Sequence, residues 1–359
     1  MLWLFLAVIL LCPAATFQLR EYSTIIHRSS EKTIHSTTRK QNLTLNYKVC
    51  LNWKPYHIKV TANPKDTLRV EKFNATVVKI NFYNAVLELE RIDQDSGWGK
   101  ILFTVQWSIY HISDYITSTA TVQYRVDYDT DLNISETSNV LAVYGQGLSS
   151  LPASQNNPQL QPRLSQERQN GHRFLVFDKN SNCLVTDLDL NRKRGANDLF
   201  TVFIVYRLTS YTADVLTPWR GLFGNDNGGW DKFVGINAGV LHLSGTVGAV
   251  QIGLTLNNAN PRALDVWNVI SIQWNADGGA DASSAWCNGK LLQRFQASST
   301  KADTSFAIGA IDITGRAFFH GAIGEFVLFK NNVITDDVMK KYHLHFIEKW
   351  GITADPIAT

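Results

Sequence analysis

Strict alternation of apolar and polar residues runs through this chain and restricts it to sheet. Phe103, Val105, Trp107 and Ile109 alternate with Thr104, Gln106 and Ser108, and Val122, Tyr124, Val126 and Tyr128 alternate with Gln123, Arg125 and Asp127. Successive side chains of a strand point to opposite faces, so such runs bury one face and wet the other. Tyr47, Val49, Leu51 and Trp53 predict a further strand, as do Tyr56, Ile58, Val60 and Ala62 before the breaker Asn63-Pro64-Lys65-Asp66. Val78, Ile80 and Phe82 add one more.

Residues 46–147 therefore read as one β-sandwich, the size of an immunoglobulin-like module. Cys50 falls on the polar face of its strand, so the paired core cysteines of antibody domains are missing and the likeness is architectural. Residues 172–353 repeat the rhythm, with strands expected at Phe200–Leu208, Phe233–Ile236, Val240–Ser244, Val250–Leu256, Val266–Trp274 and Lys290–Phe295. Asn288-Gly289 is the strongest hairpin signal, because both central residues of a type I′ turn need positive φ. So many short strands predict a two-sheet sandwich or jelly roll. One helix closes it. Thr335 is placed to cap, Asp336 and Asp337 suit the positive N-terminus, and Met339, Tyr342, Phe346 and Trp350 form a core stripe before Gly351 stops the run.

The fold class is thus all-β, with two sandwiches and one C-terminal helix. Pro152, Pro158 and Pro162 in a Gln, Ser and Asn background predict an extended linker over 148–171, open to proteases. Residues 17–45, rich in Ser, Thr, Lys and Arg, read as a flexible polar arm, and 354–359 as a tail.

The opening MLWLFLAVILLCPAATFQ has an apolar core followed by small residues, the layout of a secretory signal over 1–16. Its core is too short to span a bilayer, and no later apolar run approaches the roughly 18 residues a span needs. Asn42-Leu-Thr44, Asn74-Ala-Thr76 and Asn133-Ile-Ser135 are glycosylation sequons, all in the N-terminal half, which suggests one glycan-shielded and one bare surface. A net charge of +3 without like-charge blocks favours neither nucleic acid nor membrane. After the signal, Cys50, Cys183 and Cys287 remain. Cys183 and Cys287 are the expected disulfide, leaving Cys50 free or available for an intermolecular bond that would make an oligomer.

The strand FTVFIVYRL, the hairpin AWCNGKLLQ and the stretch GAIGEFVLFKNNVITDDVMKKYHLHFIEKWGI, in that chain order, resemble laminin-G-like, concanavalin A-like jelly rolls over Phe174 to Ile352. The resemblance implies binding of glycans or extracellular proteins, with glycoside hydrolysis in a minority. Hydrolases of the superfamily carry an acidic Glu-x-Asp-x-x-Glu strand, and no such strand is present. A retaining mechanism needs two carboxylates about 5 Å apart, and Glu325 has no acidic neighbour, so its role is expected to be structural. No Gly-x-Ser-x-Gly elbow or phosphate loop occurs, and His343 and His345 point different ways on their helix. No catalytic residue is assigned.

GNDNGGWDKF carries the ligand hypothesis. Asn225, Asp226, Asn227 and Asp231 could bond sugar hydroxyls or a hard cation such as Ca2+, with Trp230 as a stacking platform. Alternatively the same residues form a turn, Gly228 and Gly229 taking positive φ while the Asx side chains bond their own backbone, and this reading is favoured. Asn275, Asp277 and Asp281 in NADGGADA pose the same choice. No other cofactor is expected. The sequence is read as a secreted recognition protein binding glycan or protein through its jelly roll. The alternatives are a structural or adhesive assembly protein and a hydrolase with an unrecognised site.

Overall fold

A computed structural model describes residues 26–353, apart from 37–38, 48–54, 66–71, 82, 93–97, 128, 178–181, 192–197, 211–218, 228–230, 238–239, 247–249, 256–263, 300–302 and 315–316. The signal, the tail, Cys50 and Trp230 lie outside the described residues. The chain is all-β with a C-terminal helix, and it divides into two units between Ile116 and Thr117.

The first unit holds β1 (Ile26–Ser36), β2 (Lys40–Asn46), β3 (His57–Pro64), β4 (Phe73–Ile80), β5 (Asn84–Arg91) and β6 (Trp98–Tyr110). They form two antiparallel sheets, β1-β6-β3 and β2-β5-β4. Their alternating apolar faces meet in a core that includes Leu45, Leu87, Leu89, Phe103, Val105, Trp107 and Ile109. The expected alternation in β4 is broken by a bulge at Val78, which turns that side chain out to solvent.

The polar arm is corrected by β1 and β2. Their low apolar content reflects their place at sheet edges, where backbone pairing with β6 and β5 supplies the order that burial does not. Asn42 on β2 and Asn74 on β4 are exposed on the outer face of their sheet, flanking Glu88 and Glu90 of β5.

Helix α1 (Ile112–Thr119), for which no sequence signal was read, carries the division between the units. Beyond it come β7 (Val122–Arg125), β8 (Leu132–Ile134), β9 (Val140–Val143), β10 (Ala153–Ser154), β11 (Arg163–Leu164), β12 (Leu175–Phe177) and β13 (Leu184–Thr186). There follow β14 (Leu199–Leu208), β15 (Trp219–Gly224), β16 (Phe233–Asn237), β17 (Val240–Leu243) and β18 (Val250–Thr255). The last elements are β19 (Trp267–Asn275), β20 (Ser283–Cys287), β21 (Lys290–Phe295), β22 (Phe306–Ile308), β23 (Gly321–Lys330) and α2 (Asp336–Trp350).

One sheet has nine strands in the order β18-β17-β16-β15-β22-β13-β10-β9-β8. The other has eight, ordered β11-β12-β23-β14-β19-β20-β21 with β7 also paired to β23. Phe200, Val202, Ile204, Phe223, Trp274, Phe306 and Phe326 belong to the core they share. Helix α2 covers the outer face of the eight-stranded sheet, seating Tyr342 and Phe346 on Phe203 and stacking Trp350 on Trp267.

Two boundaries differ from expectation. Strands β7, β8 and β9, assigned from sequence to the first sandwich, belong to the second unit, because β7 pairs with β23 and β8 and β9 extend the nine-stranded sheet. Asn133 on β8 is exposed, so the third sequon sits on the second unit. The expected linker is likewise part of that unit. β10 pairs with β9 and β13, and β11 with β12. The prolines fall at element edges, where a missing N–H breaks no ladder. Pro152 precedes β10, Pro162 precedes β11, and Pro158 opens a 3-10 turn whose cap Asn157 accepts the Gln159 N–H.

Cys183 and Cys287 are both free and buried, which corrects the expected disulfide. Cys287 ends β20 in the eight-stranded sheet, whereas Cys183 precedes β13 in the nine-stranded one. Helix α2 has Thr335 at its N-cap position, but the side chain makes no capping hydrogen bond. The termination is as expected, with Gly351 in the left-handed region at φ 58° and its N–H directed to Glu348 O.

Candidate functional site

The loop after β15 is locked by its own side chains. Asp226 Oδ1 accepts the Asp231 N–H at 3.0 Å, and Asp231 Oδ2 accepts the Asn227 N–H at 3.3 Å. Asn225 Nδ2 donates to Asp303 O at 3.4 Å. Asn225, Asp226 and Asp231 are 1, 7 and 2 % exposed, while Asn227 faces solvent. Carboxylates that terminate backbone N–H groups in this way close an Asx-bonded turn. Behind the loop, Lys232 and Asp198 make a buried ion pair at 3.2 Å. The other acidic stretch is also a turn, since Asp277 Oδ2 accepts the Asp198 N–H at 2.8 Å and Asn275 N–H donates to Ser283 Oγ, leaving Asp281 exposed. Among the described residues no group of three His, Cys, Asp or Glu side chains could hold a metal ion.

What the first loop does position is a strap. Residues Ala310 to Thr314 cross the outer face of the nine-stranded sheet, and the Asp226 N–H donates to Ile311 O at 3.2 Å. The floor beneath is glycine: a Cβ on Gly221 or Gly224 would collide with the Ile311 backbone. Small side chains thus let two stretches of backbone approach closely. The strap's Ala310 forms a small apolar cluster with Cys183 and Ala307, with Val185 and Phe318 against it.

Beside the strap lies a cleft of about 360 Å³, inside the range of about 300–1,000 Å³ typical of small-molecule sites. Leu151, Pro152, Val185 and Ile313 make its apolar wall, and Ser154, Gln155, Asn156, Asp187 and Thr314 bring polar groups to it. Ser154 is held there by strand register. Its neighbour Ala153 enters the core, so Ser154 turns outward in one row with Val185 of β13. Gln155 is committed, its Oε1 accepting the Asn157 N–H and its Nε2 donating to Cys183 O at 3.4 Å. Thr314 is committed too, to the buried Asp312 carboxylate at 2.6 Å. Ser154 and Asn156 have no side-chain partner among the described residues. Two unengaged polar side chains, one carboxylate and an apolar wall can bind a hydroxyl-bearing ligand in a fixed orientation.

Cys183 also lines the cleft, but burial pushes its thiol up to about 11, with Asp312 adding to the rise against the hydrogen bond from Gln155. It is a neutral thiol, not a nucleophile. Ser271 Oγ and His343 Nε2 are 2.7 Å apart, yet both residues are fully buried where α2 packs on β19, and burial drives His343 down to about 3. Glu325 is sealed as well. It pairs with Lys349 at 3.0 Å and accepts hydrogen bonds from Trp350 Nε1 and Gln123, so it anchors α2 to β23.

Ser154, Asn156, Asp187 and Thr314 were all missed by sequence reasoning. They come from separate segments, and two of them lie in the stretch whose composition reads as linker. Trp230 lies outside the described residues, and the remaining loop residues are brought together as a frame for the strap.

No family model matches the chain, and no curated protein matches it. Among solved structures, the chain is similar to the botulinum neurotoxin serotype D binding domain at 12 % identity and TM-score 0.42, covering 66 % of this chain and 56 % of that one. It is also similar to domain 4 of AbnA, a GH43 extracellular arabinanase from Geobacillus stearothermophilus, in complex with arabinotriose, at 16 % identity and TM-score 0.42, covering 63 % and 98 %. A third is the binding domain of botulinum neurotoxin DC in complex with rat synaptotagmin II, at 9 % identity and TM-score 0.42, covering 63 % and 52 %. The chain spans about half the length of these two toxin domains.

Proposed function

We propose that the protein is an extracellular recognition protein whose second unit, a laminin-G-like jelly roll, binds a glycan in the cleft beside the strap. The carrying observation is the pair Ser154 and Asn156, polar side chains that line the cleft and have no side-chain partner among the described residues. Sugar hydroxyls both donate and accept, which suits a hydroxyl and an amide, while Leu151, Pro152 and Ile313 offer an apolar surface to a ring face. The Asn225–Asp231 loop acts in this reading as the frame that holds the strap. Exposed sequon asparagines at positions 42, 74 and 133 support the extracellular compartment. No helix among the described residues is long and apolar enough to cross a membrane.

Screening the full-length chain on a glycan array tests the proposal. Saturable binding of at least one glycan is expected, and Ser154→Ala with Asn156→Ala should weaken it by about tenfold or more with the thermal transition unchanged, since exposed substitutions usually cost within about 0.5 kcal/mol. A blank array together with concentration-dependent oligomers would favour the assembly role instead.

A further inference from the structure

Cross-strand register extends the outer face beyond the cleft beside the strap. Ser154 of β10, which lines the cleft, pairs with Ala142 of β9, and Ala142 pairs with Asn133 of β8. Their neighbours Ala153, Val143 and Leu132 belong to the core or pack against it, so Ser154, Ala142 and Asn133 stand in one outward row. Neighbouring strands lie about 4.8 Å apart, which puts Asn133 roughly 10 Å from Ser154 with only the methyl group of Ala142 in the row between them. The same ladder sets the next outward row. The Tyr144 N–H donates to Asp131 O at 2.8 Å, continuing the pairing of β9 with β8 by one residue. Tyr144 therefore turns outward like Ala142, and it is 44 % exposed. On its other side it stands opposite Pro152, a cleft residue, because Val143 pairs with Ala153.

We infer that Asn133 carries an N-glycan that lies on Tyr144 and fences the β9 side of the cleft, an access control that rests on the reading of this cleft as the binding site. Asn133 opens the sequon that Ser135 closes, and both residues are exposed. Tyr144 is the diagonal cross-strand neighbour of Asn133, a separation that an aromatic side chain can bridge. An exposed tyrosine offers an apolar ring face and a polar tip, which suits the face and the hydroxyls of the first sugar. The other two sequons have acids opposite them instead, Asn42 pairing with Glu88 and Asn74 with Glu90. Strand β8 is also an edge of the nine-stranded sheet, where a bulky glycan blocks pairing with another chain. The same bulk, two strands from Ser154, narrows the approach to the cleft, so that small ligands enter and bulky ones do not.

Thiol labelling of a near-isosteric Ser154→Cys reporter tests this without any ligand, in the full-length protein from a eukaryotic secretory host. Mass spectrometry should find a glycan on the peptide holding residue 133, and the peptide holding residue 154 reports the labelling rate. A small maleimide should react equally well with and without the glycan, whereas a polyethylene-glycol maleimide should react about tenfold more slowly while the glycan is present. Asn133→Gln, or enzymatic removal of the glycan from the folded protein, should restore the rate without moving the thermal transition. Tyr144→Ala should keep the glycan and recover part of the rate. An unglycosylated Asn133, a rate indifferent to the glycan, or a rate indifferent to Tyr144→Ala would overturn the inference. A blank glycan array beside a glycan-dependent labelling rate would remove the binding role and leave the fence in place, so the two failures are distinguishable.

Discussion

His343 shows how a single side chain ties stability to pH. It is fully buried against Phe203 and Trp286, with Ser271 the partner of its Nε2, and burial holds it near 3 against 6.5 in the unfolded chain. The unfolded state therefore takes up a proton that the folded state refuses. This group's stability contribution is complete above about pH 6.5 and falls by about 1.4 kcal/mol per unit as pH drops toward 3. Asp127 adds a lower window. Burial would raise it, but the His172 hydrogen bond at 3.1 Å and the Lys349 charge bring it down to about 2. Its contribution, roughly 2 kcal/mol, is present above about pH 4 and lost as pH falls through 2. Denaturant melts across pH should show loss of stability beginning below 6.5, and His343→Gln should flatten the limb between 6.5 and 4. An unchanged slope would place the proton elsewhere. The two thiols are a second test at this scale, since burial pushes Cys183 to about 11 and Cys287 to about 12. Alkylation of both should be slow in the native state and complete in denaturant, and a Cys183–Cys287 cross-linked peptide under non-reducing mapping would contradict the structure.

Elements with strong local rules were legible in the sequence, and those held by distant partners were not. Asn288 and Gly289 both have positive φ, at 47° and 81°, and Trp286 pairs with Leu291 across the hairpin as the type I′ signal requires. The stripe Met339, Tyr342, Phe346 and Trp350 is buried as read, because a 3.6-residue period leaves little choice of face. By contrast, β10 and β11 are two residues each and are ordered by their pairing with β9, β13 and β12, which no local pattern announces. The cleft inherits that opacity, since Ser154 turns outward only because β10 is a strand. The strap follows from Gly221 and Gly224, glycines that in sequence look like strand weakness and in space are clearance. Gly224→Ala should therefore cost about 1–3 kcal/mol by forcing the Ile311 backbone away. It should also disturb the cleft wall at Ile313. A variant of unchanged midpoint in urea would show that the strap is not seated there.

At the scale of the molecule, the division between units lies at Ile116 and Thr117, where sequence reasoning placed it after residue 147. Composition misled it, because a proline-rich and glutamine-rich stretch resembles a tether while its prolines sit at strand edges. What separates the units physically is that each has its own core. Leu87 lies with Leu45, Phe103 and Val105 in the first, and Ile204 with Val202, Ile272 and Phe326 in the second, with no residue shared between the two clusters. Domains with separate cores unfold as separate cooperative units unless a large interface couples them. Scanning calorimetry should then resolve two transitions. Leu87→Ala, a buried truncation costing about 2–5 kcal/mol, should lower the first unit's transition and leave the other in place, and Ile204→Ala should do the reverse. In the double variant each transition should shift by the effect of its own single substitution. If either single substitution moved both transitions together, the two cores would be one cooperative structure.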